Sequence, residues 1–237
     1  MCVIINTIGG AVSTEDMHIH VRDAINDYNL LKSYVNRCVE LGINKILMLD
    51  HGPRLSKRHI SRLNTKNKII IFKENVEKLK KDYPHLKIFC GIELDFCYDK
   101  AFNDNNNKLT DIGFDYVISS IHHYKFTNGR DYLKAVIQMI DTCKFDIIGH
   151  MLLKYDWKKC TDLIDVILNK VKEKGLIIEI NTSDRSRWDS ETLEYMIIKM
   201  NENGINYTIG SDAHSVSEIG HMISETTKKV ISINKKL

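Results

Sequence analysis

The sequence predicts an α/β protein of about seven strand-then-helix units, with a parallel sheet closed into a TIM-like barrel. Two observations predict it. Short apolar runs alternate with longer amphipathic runs along the 237 residues. Strict alternation of this kind needs helical crossovers, and crossovers make neighbouring strands parallel. The second observation is that ionisable residues cluster just after the strands, where barrel active sites gather. Alternation alone does not separate a closed barrel from an open sheet; the strand-end clustering favours the barrel. The length fits one large domain or two small ones. Nothing resembling a Pro/Gly/Ser linker divides the chain, so residues 1–237 read as one domain with 1–15 as an extension.

The elements follow in order. "CVIINTI" (2–8) either adds a strand or covers the barrel bottom. "EDMHIH" (15–20) is the first barrel strand, followed by the polar loop "VRDAIND". "YNLLKSYVNRCVELG" has apolar residues at helical spacing and ends at Gly42, a residue type suited to the left-handed position after a helix. "INKILML" is the second strand, and residues 52–68 form a basic loop with at most one helical turn. "IIIFKENVEKLKKDYP" is a helix stopped at Pro84. "LKIFCGIE" is the third strand, and the asparagine-rich stretch 96–113 reads as an irregular excursion with a helical turn. "FDYVISSIHH" is the fourth strand, then come the helix "RDYLKAVIQMIDTCK" and the fifth strand "FDIIGH". The helix "CTDLIDVILNKVKEKG", the strand "LIIEINTS" and the helix "DSETLEYMIIKMNENG" follow, the last with a capping-box-like start at Asp189 or Ser190. "INYTIGSDAH" is the seventh strand, and 215–233 the last helix.

Composition excludes several function classes. A net charge of +3 with lysine and arginine spread along the chain does not argue for nucleic acid. Six cysteines include no C-x-x-C pair and follow no secretory signal, so they read as reduced thiols of a cytoplasmic protein. No run is long and apolar enough to span a membrane. Oligomeric state is not legible.

Seven of the ten histidines sit at strand C-termini: His18, His20, His51, His122, His123, His150 and His214. Glu93 and Asp212 join them. Residues two apart on a strand share a face, so His18 and His20 converge. Neutral imidazole with carboxylate suits zinc, manganese or iron. The set exceeds what one ion needs and suffices for two or three, with a carboxylate bridging. No cysteine stands at these positions, which argues for an open catalytic site and against a structural zinc knot. Around this set, Asp50 reads as an orienting partner or cap. Asp16 stands behind the ligands although alternation gives it their face. His123 falls on the face opposite His122, and His221 is a surface or packing residue. Glu179 and Asn181 share a face; Asn181 either bonds substrate or is a satisfied core amide.

With "DMHIH", "LDHG", "GIELD", "SSIHH", "IGH", "EINTS" and "GSDAH" in this order, the chain resembles the PHP (polymerase and histidinol phosphatase) family, specifically its stand-alone histidinol-phosphatase-like members. The resemblance covers nearly all of the chain from Asp16 onward. It implies a distorted (β/α)7 barrel and a trinuclear site. His18, His20, Glu93 and Asp212 would hold one ion and form the catalytic set. Glu93 would bridge to a second ion, held by His122 and His150. His51 and His214 would hold the third with a residue of the loop after strand one, where Asp23 is favoured over Asp27. It further implies hydrolysis of a small phosphate monoester by metal-activated water, with L-histidinol phosphate as the family-level substrate. Another phosphomonoester or a nucleotide is the near alternative. Arginine forks match phosphate, and Arg54, Arg185 and Arg187, with His123 and Asn181, are the expected substrate contacts; Arg58 and Lys154 are further cations after the strands. Two rivals fit less well. An amidohydrolase-type barrel also opens with H-x-H but wants a lysine or carboxylate bridge where His122 stands. A non-enzymatic PHP module would have lost ligands that are present here.

Overall fold

A computed structural model describes residues 7–8, 11–12, 14–54, 62–151, 153 and 157–237. Arg58 and Lys154 lie outside the described residues. Near the N-terminus, β1 (Thr7–Ile8) pairs antiparallel with β2 (Ala11–Val12) as a two-stranded sheet separate from the main one. Seven parallel strands then stand side by side in chain order: β3 (Glu15–His20), β4 (Lys45–Leu49), β5 (Lys87–Asp95), β6 (Tyr116–Ser120), β7 (Ile147–Ile148), β8 (Ile177–Asn181) and β9 (Asn206–Gly210). Around them lie α1 (Tyr28–Glu40), α2 (Lys66–Asp82), α3 (Lys100–Thr110), α4 (Gly129–Thr142), α5 (Thr161–Lys174), α6 (Ser190–Asn203) and α7 (Ile223–Asn234). The result is a nearly closed TIM-like barrel. No described helix is long and apolar enough to cross a membrane.

The seam between β9 and β3 is fastened differently from the other strand pairs. One bridge, Ile19 to Ala213, replaces a full ladder, with the His20 N–H donating to the Ala213 carbonyl at 2.8 Å. Side chains supply the rest. Asp16 accepts the N–H groups of Ser211 (2.8 Å) and Gly220 (3.1 Å). Glu15 accepts from Thr208 Oγ1 (2.6 Å) and the Ile209 N–H (3.1 Å).

Apolar packing has two parts. Met17, Leu47, Leu49, Ile118 and Ile147 plug the inside of the barrel. The other faces of the strands pack outward against the helices, as with Ile46, Met48, Ile88 and Ile92. Strand alternation thus sends one residue in two inward. On β3 the alternation breaks. Asp16 pairs with Ile46 but Ile19 with Met48, three steps on β3 against two on β4. One extra residue is a bulge, a device common beside active sites. It corrects the expectation for Asp16: the carboxylate lies on the outer face and serves the seam, while His18 and His20 turn inward.

Three other expectations change. The stretch 96–113 is not irregular, because α3 runs for 11 residues with Asp99 capping its first turn through the Ala101 and Phe102 N–H groups. Its asparagines bracket neighbours: Asn103 donates to the Cys97 carbonyl at 2.6 Å, and Asn106 to the Asp95 carbonyl at 3.2 Å. The helix α2 begins at Lys66, inside the presumed loop, with Thr65 as its cap. The last helix starts only at Ile223, after a 3-10 turn at Val216–Glu218. Asp189, one of the two expected caps, takes the Thr192 N–H at 2.7 Å.

Candidate active site

The strand ends bring an imidazole and carboxylate cluster to the C-terminal mouth of the barrel. From β3, the Nε2 atoms of His18 and His20 lie 3.1 Å apart. Glu93 on β5 enters between them and the far wall. Its Oε2 is 3.7 Å from His18 Nε2 and 3.3 Å from His20 Nε2. Its Oε1 faces the other way, 3.3 Å from His122 Nε2 and 3.1 Å from His150 Nε2. Asp212, after β9, closes the first group with Oδ1 3.6 Å from His18 Nε2 and 3.3 Å from His20 Nε2. His51 and His214 flank His20, with ring centroids 4.4 and 4.1 Å from it. Gly210 makes room for this: a Cβ there would stand 2.4 Å from Glu179 Oε1 and 2.6 Å from His18 Cβ.

Supporting contacts aim these rings. His18 Nδ1 meets Glu179 Oε1 at 2.8 Å, leaving Nε2 to the cluster. The other Glu179 oxygen accepts the His150 N–H at 2.5 Å. Asp50 Oδ1 accepts the His51 N–H at 2.7 Å and stands 3.7 Å from His20 Nδ1, the orienting role expected of it. Arg22 (φ 44°), His150 (φ 26°) and Asp212 (φ 55°) adopt left-handed backbone at the mouth, a strain that concentrates at functional sites.

Several buried atoms lack a hydrogen-bond partner: His20 Nδ1, His51 Nδ1, Asp50 Oδ2 and Glu93 Oε2. His51 Nδ1 and Glu93 Oε2 are 2.9 Å apart yet not aligned to bond. Buried polar atoms are rarely left so. Around them, donor atoms stand close enough together to share a cation. Three sets bring their donor atoms within 4.8 Å of one another: His18, His20 and Glu93; His51, Glu93 and His122; and His20, His51 and His214.

The charge states divide the histidines. Burial pushes the His20 imidazolium down, but Asp212, Asp50 and Glu93 outweigh it and its pKa rises to about 10. Burial likewise opposes His18, and Glu179 and Asp212 raise it well above the usual value. His122 rises to about 9 against burial because of Glu93 and Asp95. Burial, with the neighbouring His20 charge, holds His51 and His214 down at about 4. Burial raises Glu93, yet His51 and His122 bring it well below the usual carboxylate range. Without a metal, imidazolium protons therefore stabilise the carboxylates. The His20 share of that stability is present below pH 6.5 and is lost as pH rises through about 10. Metal ligation needs neutral imidazole, so loading with zinc at pH 7 will release roughly two to three protons per chain. Titration calorimetry in two buffers of different ionisation enthalpy reads this number; a buffer-independent heat would contradict the charge assignment.

Not every expected residue joins the cluster. Asp23 does not: its side chain is 85% exposed and accepts from Arg62 Nε and Nη2 at 3.2 Å. Asp27 caps α1 through the Leu30 N–H. The residue of that loop that lines the cavity is Arg22. Arg187 also departs, lying 3.7 Å from Asp184 and lining a separate cavity of about 260 Å³. Asn181 donates to Glu179 Oε1 at 3.2 Å and accepts from Ser183, so its amide supports the His18 partner. Arg54 and Arg185 do line the cluster's cavity, which holds about 450 Å³. His122 and His123 come after β6 ends, so alternation does not separate them. Both reach Asp95, with His122 Nδ1 2.5 Å from Oδ1 and His123 Nε2 against Oδ2. Arg54 Nε donates to the same Oδ2 at 3.1 Å. His221, as expected, is near the surface, 3.3 Å from Asp184. Asp95 was not singled out from the sequence, although it follows Glu93 by two on one strand, the spacing that pairs His18 with His20.

Barrel and cluster together define a protein whose strand ends can hold divalent ions among imidazoles and carboxylates. The chain belongs to the PHP domain family, whose model matches residues 16–183. It is 26% identical over 233 residues to a probable histidinol-phosphatase of Thermotoga maritima, covering 92% of each chain. A probable phosphatase of a Thermoanaerobacter species is 28% identical, over 91% of this chain and 84% of that one. Among solved structures, the histidinol phosphate phosphatase of Lactococcus lactis, complexed with zinc, L-histidinol and phosphate, superposes with a TM-score of 0.74 at 19% identity, over 94% of this chain and 93% of that one. Family and relatives support a phosphoesterase.

Proposed function

We propose that this chain hydrolyses a small phosphate monoester with two or three divalent ions, zinc, manganese or iron. His18, His20, Glu93 and Asp212 would hold one ion, and Glu93, His122 and His150 a second. His51 and His214, with His20 beside them, would hold a third, without a carboxylate from the loop after β3. Bound there, such ions supply Lewis-acid neutralisation of phosphoryl charge and a water of lowered pKa. The single observation that carries this reading is the Glu93 carboxylate, whose two oxygens face two different histidine pairs. Glu179 holds the His18 imidazole through Nδ1, and Asp50 fixes the backbone at His51, which supports a ready-placed donor set. Arg54, held by Asp95 at the edge of the cluster, orients the phosphoryl group.

L-histidinol phosphate is the substrate that the relatives' names suggest and is the first compound to assay; another phosphomonoester or a nucleotide is the alternative. None of the five described cysteines is in a disulfide, which supports a cytoplasmic setting. The test is elemental analysis of the purified protein with phosphate release, in wild type and His18→Ala. We expect two or three metals per chain and at least a hundredfold loss of turnover in the variant, about 3 kcal/mol. A wild-type chain that takes up no metal after reconstitution would refute the reading.

A further inference from the structure

The cavity over the cluster has a one-sided rim. Four arginines line it, Arg22, Arg54, Arg62 and Arg185. Two already have acidic partners, Arg54 with Asp95 and Arg62 with Asp23. Arg22 and Arg185 are exposed at the mouth and form no ion pair among the described residues. The carboxylates among the described lining residues, Asp50 and Asp212, both stand within 4 Å of His20. Among the described residues, the lining above the cluster thus carries four guanidinium groups against two carboxylates, both of which face the histidines.

This matters for the part of a substrate that is not its reacting phosphate. On the phosphoesterase reading, the divalent ions and Arg54 would answer that phosphate. A cationic rim above them would repel an ammonium group, such as L-histidinol phosphate carries, and attract a second anion. Guanidinium forks match carboxylate and phosphate alike. Arg22 is also held in left-handed backbone (φ 44°), which a residue with a side chain rarely adopts. Arg22 lines the cavity from there, while the Asp23 side chain is 85% exposed.

We propose that Arg22 and Arg185 form a second anion subsite, and that the substrate is a phosphate monoester bearing a further carboxylate or phosphate. This rests on the phosphoesterase reading and narrows its substrate class. Two non-hydrolysable ligands of one skeleton test it by calorimetry on the zinc-loaded full chain. Phosphonoacetate carries a carboxylate where 2-aminoethylphosphonate carries an ammonium. We expect phosphonoacetate to bind at least tenfold tighter, and the ratio to fall toward one in the Arg22→Ala/Arg185→Ala double variant. Equal or reversed affinities in wild type would overturn the proposal. A ratio that survives the double substitution would overturn the assignment to these arginines. Turnover of 2-phosphoglycolate and phosphoethanolamine is measured in parallel. If neither they, nor L-histidinol phosphate, nor any member of a panel of phosphomonoesters and nucleotides is hydrolysed while the binding preference holds, the phosphoesterase reading fails and the anion subsite stands.

Discussion

Glu93→Gln will lower turnover by about three orders of magnitude, on the order of 4 kcal/mol. The change keeps the shape of the side chain and removes its charge. Oε2 faces His18 and His20, and Oε1 faces His122 and His150. A single substitution therefore weakens two ion sites together. Elemental analysis should find both depleted, whereas His150→Ala, on one side only, should deplete one. The fully buried amide would also leave His20 and His122 short of a counter-charge, so their pKa values of about 10 and about 9 will fall. A Glu93→Gln chain that keeps the wild-type metal content would refute the bridging role.

Asp95→Asn is expected to cost roughly ten- to a hundredfold in kcat/KM, the usual effect of removing a partner behind a metal ligand. Asp95 is buried and touches three donors: His122 Nδ1, His123 Nε2 and Arg54 Nε. Burial pushes its pKa up, but His122 and His123 hold it below the usual carboxylate range, so it is ionised at every working pH. The amide has one acceptor oxygen for these donors and no charge for Arg54, whose side chain is 8% exposed. Both kinetic parameters should suffer, kcat through His122 and KM through Arg54. A buried unpaired guanidinium costs about 3–5 kcal/mol of stability, so the variant will melt earlier. Arg54→Met in the same chain should restore much of the lost stability without restoring activity. If the double variant melts no higher than Asp95→Asn alone, the Arg54 pairing is not what Asp95 contributes.

The fold was legible because period-2 and period-3.6 patterns alternate cleanly and the units carry recognisable punctuation, Gly42 and Gly175 after helices and Asp189 before one. The asparagine run 103–107 misled because asparagine has low helix propensity; only the folded chain shows Asn103 and Asn106 spent on backbone carbonyls. At the site, i to i+2 spacing reads His18 with His20 correctly, and the same rule applied to Glu93 brings in Asp95. It fails for Asp16, since a bulge is a register event between two strands and leaves no mark on one of them. Asp23 misled because the family resemblance asks for a ligand from that loop, and spacing does not align either of its aspartates. Whether a loop turns its carboxylate inward depends on one backbone dihedral, here at Arg22.

The seam sets an order on the birth of the site. His18 and His20 leave the ribosome almost two hundred residues before Asp212 and His214. The first strand also depends on the last for its fastening, through Asp16 to Ser211 and Gly220. A nascent chain thus displays histidines that have β4 on one side but neither their full ligand set nor the strand on the other side until synthesis has nearly reached α7. Metal selection is then deferred to the finished molecule, and a passing ion meets either a fragmentary trap or a complete one.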